Sequence, residues 1–164
     1  PKLNIYKLNT DGSNSSYLDK NGIGGVIRNH NGDWVLEFCD NIPTQSILST
    51  EMYALLQGLT LARLHNLIPI QVKIDAKEVI TILCNDNLPF ANLSHDRRHL
   101  LGMLHDPQLT HAYREQNRLA DKLASLGSLL EGTNDIVVLH NPPPFVEQIL
   151  EEDKLGLPRF RLTP

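Results

Sequence analysis

Four acidic residues, Asp11, Glu51, Asp75 and Asp121, are spaced so that a fold could gather their carboxylates into one site. Each also has an ordinary use. Asp75 with Glu78 reads as a helix capping box, Asp121 near Asn117 complements a helix dipole, and Glu51 is a good helix former. Gathered together, however, carboxylates a few ångströms apart repel one another by kilocalories unless cations neutralise them. A fold that collects all four therefore implies a metal site, and oxygen-only ligands select hard ions, Mg²⁺ or Mn²⁺, over zinc.

The elements that must position them follow from periodicity. Leu3 to Thr10 alternates apolar and polar residues as a strand does and stops at Asp11-Gly12, which sets the first carboxylate at a strand end. Gly12 to Asn21 reads as a polar loop, Gly22 to Arg28 as a second strand, and Asn29 to Asp33 as a tight turn before a third strand, Trp34 to Cys39. After Pro43 the period changes to about 3.6. Leu48, Met52, Leu55, Leu56, Leu59 and Ala62 form one stripe of a helix to about His65, with Ala54, Gly58 and Ala62 small enough to let it lie close on a sheet. Ile70 to Ile74 is a short strand with Asp75 immediately after it, followed by helices over Asp75 to Cys84 and Leu93 to His105. Leu109 to Tyr113 reads as a last strand, and Asn117 to Leu130 as a helix with Leu119, Leu123, Leu126 and Leu130 in register.

A meander followed by strands joined through helices predicts an α/β fold. Its sheet would be mixed and five-stranded, three strands antiparallel and then two parallel, with helices on both faces. With the first and fourth strands as neighbours, Asp11 and Asp75 end side by side. The division expected is a domain over 1–131 and a proline-punctuated tail over 132–164, packed on the domain or disordered. No internal repeat is found.

Length and composition bound the function. At 164 residues and 41% hydrophobic, the chain suits one compact domain, and no apolar run approaches the roughly 18 residues of a membrane span. Cys39 and Cys84 are too few for a disulfide framework and are expected as buried thiols of a reducing compartment. With no signal peptide, an intracellular place in nucleus or cytoplasm is expected, as a monomer. Pro1 in place of Met suggests a piece of a larger polypeptide. The net charge of −4 does not advertise nucleic-acid binding, yet a carboxylate-rich metal site lowers net charge by itself.

The chain resembles the ribonuclease H-like domains, in particular the plant reverse-transcriptase-like branch found in non-LTR retrotransposon polyproteins. The matching stretches are Lys7 to Ser13, Gly24 to Asn29, Thr50 to Leu59, Ile74 to Ala76 and, most specific, His111 to Ala124. The resemblance runs from about Lys2 to Leu130. It implies a two-metal hydrolase that cuts the RNA strand of an RNA:DNA hybrid, with two Mg²⁺ (or Mn²⁺) ions as cofactors. Asp11 would touch both ions, Asp121 would help hold the one that activates water, and Glu51 with Asp75 would hold the one at the leaving oxygen. His111 matches a loop histidine of the family that shuttles protons or assists product release.

Hybrid is read through shape, phosphates and 2′-hydroxyls, which suits small polar groups. Ser13, Asn14, Ser15, Ser16, Ser46, Ser49 and the motif's Asn117 are the candidates. Their ordinary alternative is turn and cap chemistry. Only 46 positions separate Asp75 from Asp121, too few for the basic protrusion of some bacterial members, which leaves Arg97, Arg98, Arg114 and Arg118 as the nearest thing to a basic patch. Two rivals stand beside this function: a domain that kept the fold, lost activity and binds nucleic acid or protein, and a DNA-directed nuclease or integrase-like enzyme.

Overall fold

The computed structural model describes residues 4–15, 18–84, 91–131, 137–139 and 141–156. Six strands form one sheet in the order β5-β4-β1-β2-β3-β6. They are β1 (Tyr6–Ser13), β2 (Lys20–Arg28), β3 (Trp34–Pro43), β4 (Ile70–Ile74), β5 (Leu109–His111) and β6 (Val137–Leu139), interleaved with helices α1 (Ile47–Leu64), α2 (Lys77–Cys84), α3 (Ala91–Met103), α4 (Arg118–Leu129) and α5 (Pro144–Leu155). As expected, β1 to β3 are antiparallel, while β4 pairs parallel with β1 and β5 parallel with β4. The strand count is six rather than five. The addition is β6, from the tail, which pairs antiparallel with the outer edge of β3 and so covers backbone groups that an edge would leave open.

Alternation along β1 sends Leu8 and Thr10 to one face and Asn9 and Asp11 to the other. On the first face α1 packs Met52, Leu55, Leu59 and Ala62 against Leu8, Ile27, Phe38, Val72 and Ile74, and α2 and α3 close this core with Val79, Leu83, Leu100 and Leu101. Gly58 is what lets α1 come down: a Cβ there would sit 2.8 Å from the side chain of Leu8.

On the opposite face α4 lies across β2 closely enough that a Cβ on Gly24 would stand 2.4 Å from the backbone N of Ala124. The buried wall of α4 is Leu119, Ala120, Leu123, Ala124, Gly127 and Ser128, so the four-leucine register is corrected. Leu119 and Leu123 face the sheet, whereas Leu126 is 37% exposed, because small residues rather than a further leucine fill so shallow a gap.

The described part of the tail packs on this same face. Val146, Ile149 and Leu150 of α5 are buried with Val26, Cys39, Leu119 and Leu123, and ion pairs Arg28–Asp153 at 3.0 Å and Arg118–Glu152 at 2.8 Å fix the helix. Cys39 is buried as expected, but Cys84 is exposed, since it closes α2 on the helix's outer side. Among the described residues no helix is long and apolar enough to cross a membrane.

Candidate active site

The β1–β4 ladder ends at the pair Thr10 and Ile74, and the next residues on the two strands are Asp11 and Asp75. Register alone therefore sets these two carboxylates side by side. β1 continues to Ser13 against β2, so Asp11 lies where the parallel partner stops rather than at the strand's own end.

Glu51 reaches the same place from α1, whose first turn is bolted to the sheet. Ser46 caps the helix, its Oγ accepting from Ser49 N–H at 3.2 Å. Asn21 of β2 donates from Nδ2 to Gln45 O at 2.9 Å and to Thr50 Oγ1 at 2.8 Å. Gly12 permits the approach: a Cβ there would lie 3.0 Å from Glu51 N and 2.8 Å from Thr50 Cγ2. The glycine after the aspartate thus serves close packing of strand on helix.

Asp11, Glu51 and Asp75 converge, with one carboxylate oxygen of each within 4.8 Å of the others. Asp11 and Glu51 are buried and Asp75 is half-buried. Burial raises the Asp11 carboxyl to about 7, helped by the charge of Asp75 and opposed by a hydrogen bond with Glu51. Burial and the Asp11 charge push Glu51 up further still, and burial also raises Asp75, which the Arg114 guanidinium partly offsets. At neutral pH the cluster therefore retains a proton, shared between Asp11 and Glu51.

Asp121, in the first turn of α4, is exposed and stands outside that three-way contact. Its charge nonetheless raises both Asp11 and Asp75, so it borders the cluster. His111 ends β5 as a strand residue rather than a loop residue. Its Nε2 lies 3.1 Å from the Asp75 carbonyl, and its ring meets Tyr113 edge-on at 5.3 Å.

A family model described as reverse transcriptase-like matches residues 9–127, the span that carries all these groups. The chain belongs to the reverse transcriptase-like family. A relative from Arabidopsis thaliana, provisionally named a ribonuclease H protein, is 29% identical over 165 residues, covering 98% of this chain. The chain spans only 26% of that relative's length.

Solved structures share the fold. The N-terminal ribonuclease H domain of a Mycobacterium tuberculosis protein superposes with a TM-score of 0.70 at 21% identity, over 76% of this chain and 94% of that one. A ribonuclease H of the halophilic archaeon Halobacterium salinarum gives 0.65 at 23%, over 75% and 96%. A ribonuclease H solved in complex with an RNA/DNA hybrid gives 0.68 at 19%, again over 75% and 96%.

In this reverse transcriptase-like chain the expected substrate contacts divide. Ser13 is half-buried and Asn14 exposed, at the end of β1 beyond the carboxylates. Ser49 is 9% exposed, and its hydroxyl accepts from Ser46 Oγ at 3.0 Å within the cap of α1. Asn117 is a correction. It is 1% exposed, donates from Nδ2 to Thr10 O at 3.0 Å and accepts from Asn9 Nδ2 at 3.0 Å. Its amide is a strut tying the start of α4 to β1, which leaves it no exposed edge for substrate. Ser16 lies outside the described residues.

Asn9 is a site-building residue that motif reasoning passes over, although strand parity puts it on the face of Asp11. The basic patch does not form as expected. Arg97 is 0% exposed, donates to Met52 O and lies 5.7 Å over the Tyr53 ring, while Arg118 is held by Glu152. Arg114 is exposed, and its charge acts on Asp75.

Proposed function

We propose that this domain is a metal-dependent endoribonuclease that hydrolyses the RNA strand of RNA:DNA hybrids. The observation that carries the proposal is the convergence of Asp11, Glu51 and Asp75 within 4.8 Å at the end of the β1–β4 ladder. Family membership and the ribonuclease H fold support it, as does the hybrid bound by one of the solved structures.

The donor set fits a hard divalent ion. Glu51 Oε2 is buried without a hydrogen-bond partner, and burial raises all three carboxyls above their ordinary values. Buried acceptor oxygens with no donor to satisfy them are what Mg²⁺ or Mn²⁺ neutralises. Asp11, Glu51 and Asp75, joined by Asp121, would hold two ions. Such ions, when bound, activate the attacking water and stabilise charge on the leaving oxygen.

The chain's own residues set the rest. Asp11 and Glu51 give up their shared proton before they can act as ligands. A carbonyl only accepts, so His111 in its neutral form carries its proton on Nε2, toward Asp75 O, and leaves Nδ1 free to take one. The edge-on ring of Tyr113 fixes that orientation. Ser13 and Asn14, just beyond the carboxylates on β1, would meet hybrid phosphates or 2′-hydroxyls.

The test is cleavage of a labelled RNA:DNA hybrid with Mg²⁺, with Mn²⁺ and with chelator, beside single-stranded RNA and duplex DNA. Cleavage of hybrid RNA that requires the metal is the expected result, and none in either metal would overturn the activity. A second function, hybrid or protein binding without hydrolysis, is favoured by one observation, the exposed Asp121 outside the three-way contact. Tight hybrid binding with no cleavage in either metal would establish it.

A further inference from the structure

A cleft of about 340 Å³ opens on the sheet face that carries α4 and α5, between a floor of β1, β2 and β4 and the last turn of α5. Lys7, Arg28 and Lys73 line its floor, and Glu152 and Asp153 its α5 wall. None of Asp11, Glu51, Asp75 and Asp121 lines it. Asn9 and Lys73 of its lining stand two residues, about 7 Å at the usual rise, before Asp11 and Asp75, so the cleft adjoins the carboxylate cluster without containing it.

Register brings the cations there. Lys7 stands directly opposite Arg28 in the β1–β2 ladder, and Lys73, opposite Asn9 in the β1–β4 ladder, is one diagonal step from Lys7. Like charges facing each other across a ladder are destabilising. The α5 carboxylates already serve other cations: Asp153 Oδ2 accepts from Arg28 Nη1 at 3.0 Å, and Glu152 Oε2 accepts from Arg118 Nη1 at 2.8 Å. The ammonium groups of Lys7 and Lys73 have no carboxylate partner among the described residues.

Asp153 compensates Arg28 but not the two lysines, and local arrangements that break a pairing rule without full compensation concentrate at ligand sites. The volume lies at the small end of the range of about 300–1,000 Å³ typical of ligand sites, which suits an anion of mononucleotide size. Its α5 wall lies beyond the family-matched residues 9–127, while Asn9, Arg28 and Lys73 of its floor lie within them.

We propose that this cleft binds the phosphate group of a nucleotide, with Lys7 and Lys73 as its charge partners and Arg28, braced by Asp153, behind them. Phosphate of this kind comes from two sources, a free nucleotide or the terminal phosphate of a nucleic-acid strand. The site stands whether or not the domain cleaves hybrid, because none of the carboxylates of the proposed active site lines it.

Calorimetric titration of the full chain in chelator tests this, using inorganic phosphate, adenosine monophosphate and a short unstructured RNA with and without a 5′-phosphate. The unsubstituted chain is expected to bind the phosphorylated probes, more weakly as salt rises. The double variant Lys7→Ala/Lys73→Ala loses about tenfold or more in affinity, as expected when two charge-assisted contacts go. Asp11→Asn binds like the unsubstituted chain. The double variant's melting temperature in chloride, unchanged or raised by relief of repulsion on Arg28, shows that it folds. Tighter binding of the mononucleotide assigns a small-molecule site, and tighter binding of the 5′-phosphorylated RNA assigns a strand terminus. No binding by the unsubstituted chain, equal affinity in the double variant, or a loss caused by Asp11→Asn instead would overturn the proposal.

Discussion

Replacing Asp11 by asparagine separates what this carboxylate does for the fold from what it does for chemistry. Burial and neighbouring charge raise the Asp11 carboxyl from 3.8 to about 7. A group raised in the folded state contributes stability that is fully present below its unfolded value, near 4, and is lost as pH rises through about 7. The metal-free protein is therefore strained at pH 8 by a charge that asparagine does not carry. A tenfold change in proton affinity corresponds to about 1.4 kcal/mol, and because the retained proton is shared with Glu51 we expect only part of the rise at Asp11 to be recovered, about 2 kcal/mol. Asparagine keeps the local geometry, since its Oδ1 can still accept from Gly12 N–H, now 2.9 Å from Asp11 Oδ1. Urea unfolding in chelator at pH 4.5 and pH 8 is the assay. The stability advantage of Asp11→Asn should be small at pH 4.5 and about 2 kcal/mol larger at pH 8, while hybrid cleavage is abolished. An advantage that does not grow with pH, or a variant less stable than the parent at pH 8, would refute the electrostatic account of the cluster. Cleavage retained after a check for contaminating nuclease would remove Asp11 from the mechanism.

Three further outcomes follow from the same geometry. Mg²⁺ affinity should rise with pH through about 7, because Asp11 must lose its proton to act as a ligand, and a flat calorimetric profile from pH 6 to 8 would contradict this. His111→Ala should slow turnover by about 10²-fold or less with Mg²⁺ affinity unchanged, whereas Asp121→Asn should weaken metal binding; a large affinity loss in His111→Ala would make the histidine a ligand. Gly24→Ala should destabilise the fold by about 1–3 kcal/mol in denaturant titration, since the new Cβ would stand 2.4 Å from backbone on α4.

The parts of the fold that local pattern dictates were legible from the chain alone. Ile70 to Ile74 alternates cleanly and is a strand with those bounds, and the Leu48 to Ala62 stripe does face the sheet from α1. What depends on distant residues was not legible. The polar loop after Asp11 is shorter than its composition suggests, because Ser13 pairs with Gly22 and the hairpin ladder continues past the aspartate. β6 adds to β3 across about a hundred residues of sequence, and nothing in its own three residues names that partner.

The candidate site divides along the same line. Three carboxylates converge because the start of α1 and the end of β4 are local features and the register Thr10 to Ile74 sets Asp11 beside Asp75, although Asp11 stands within β1 rather than at the strand end its sequence suggests. Asn117 shows the opposite case: a motif position says that a residue matters without saying which of its atoms are free. Here both ends of the amide are committed to β1, one to Thr10 O and one to Asn9. That commitment carries function indirectly. Asp121 N–H donates to Asn117 O at 3.0 Å, so the strut that fixes Asn117 on β1 also fixes the turn of α4 that carries Asp121, whose charge acts on Asp11 and Asp75. Burying the polar side chain is tolerable only because both hydrogen bonds are made. An asparagine read as a substrate contact is better understood as what holds the fourth carboxylate at the border of the cluster.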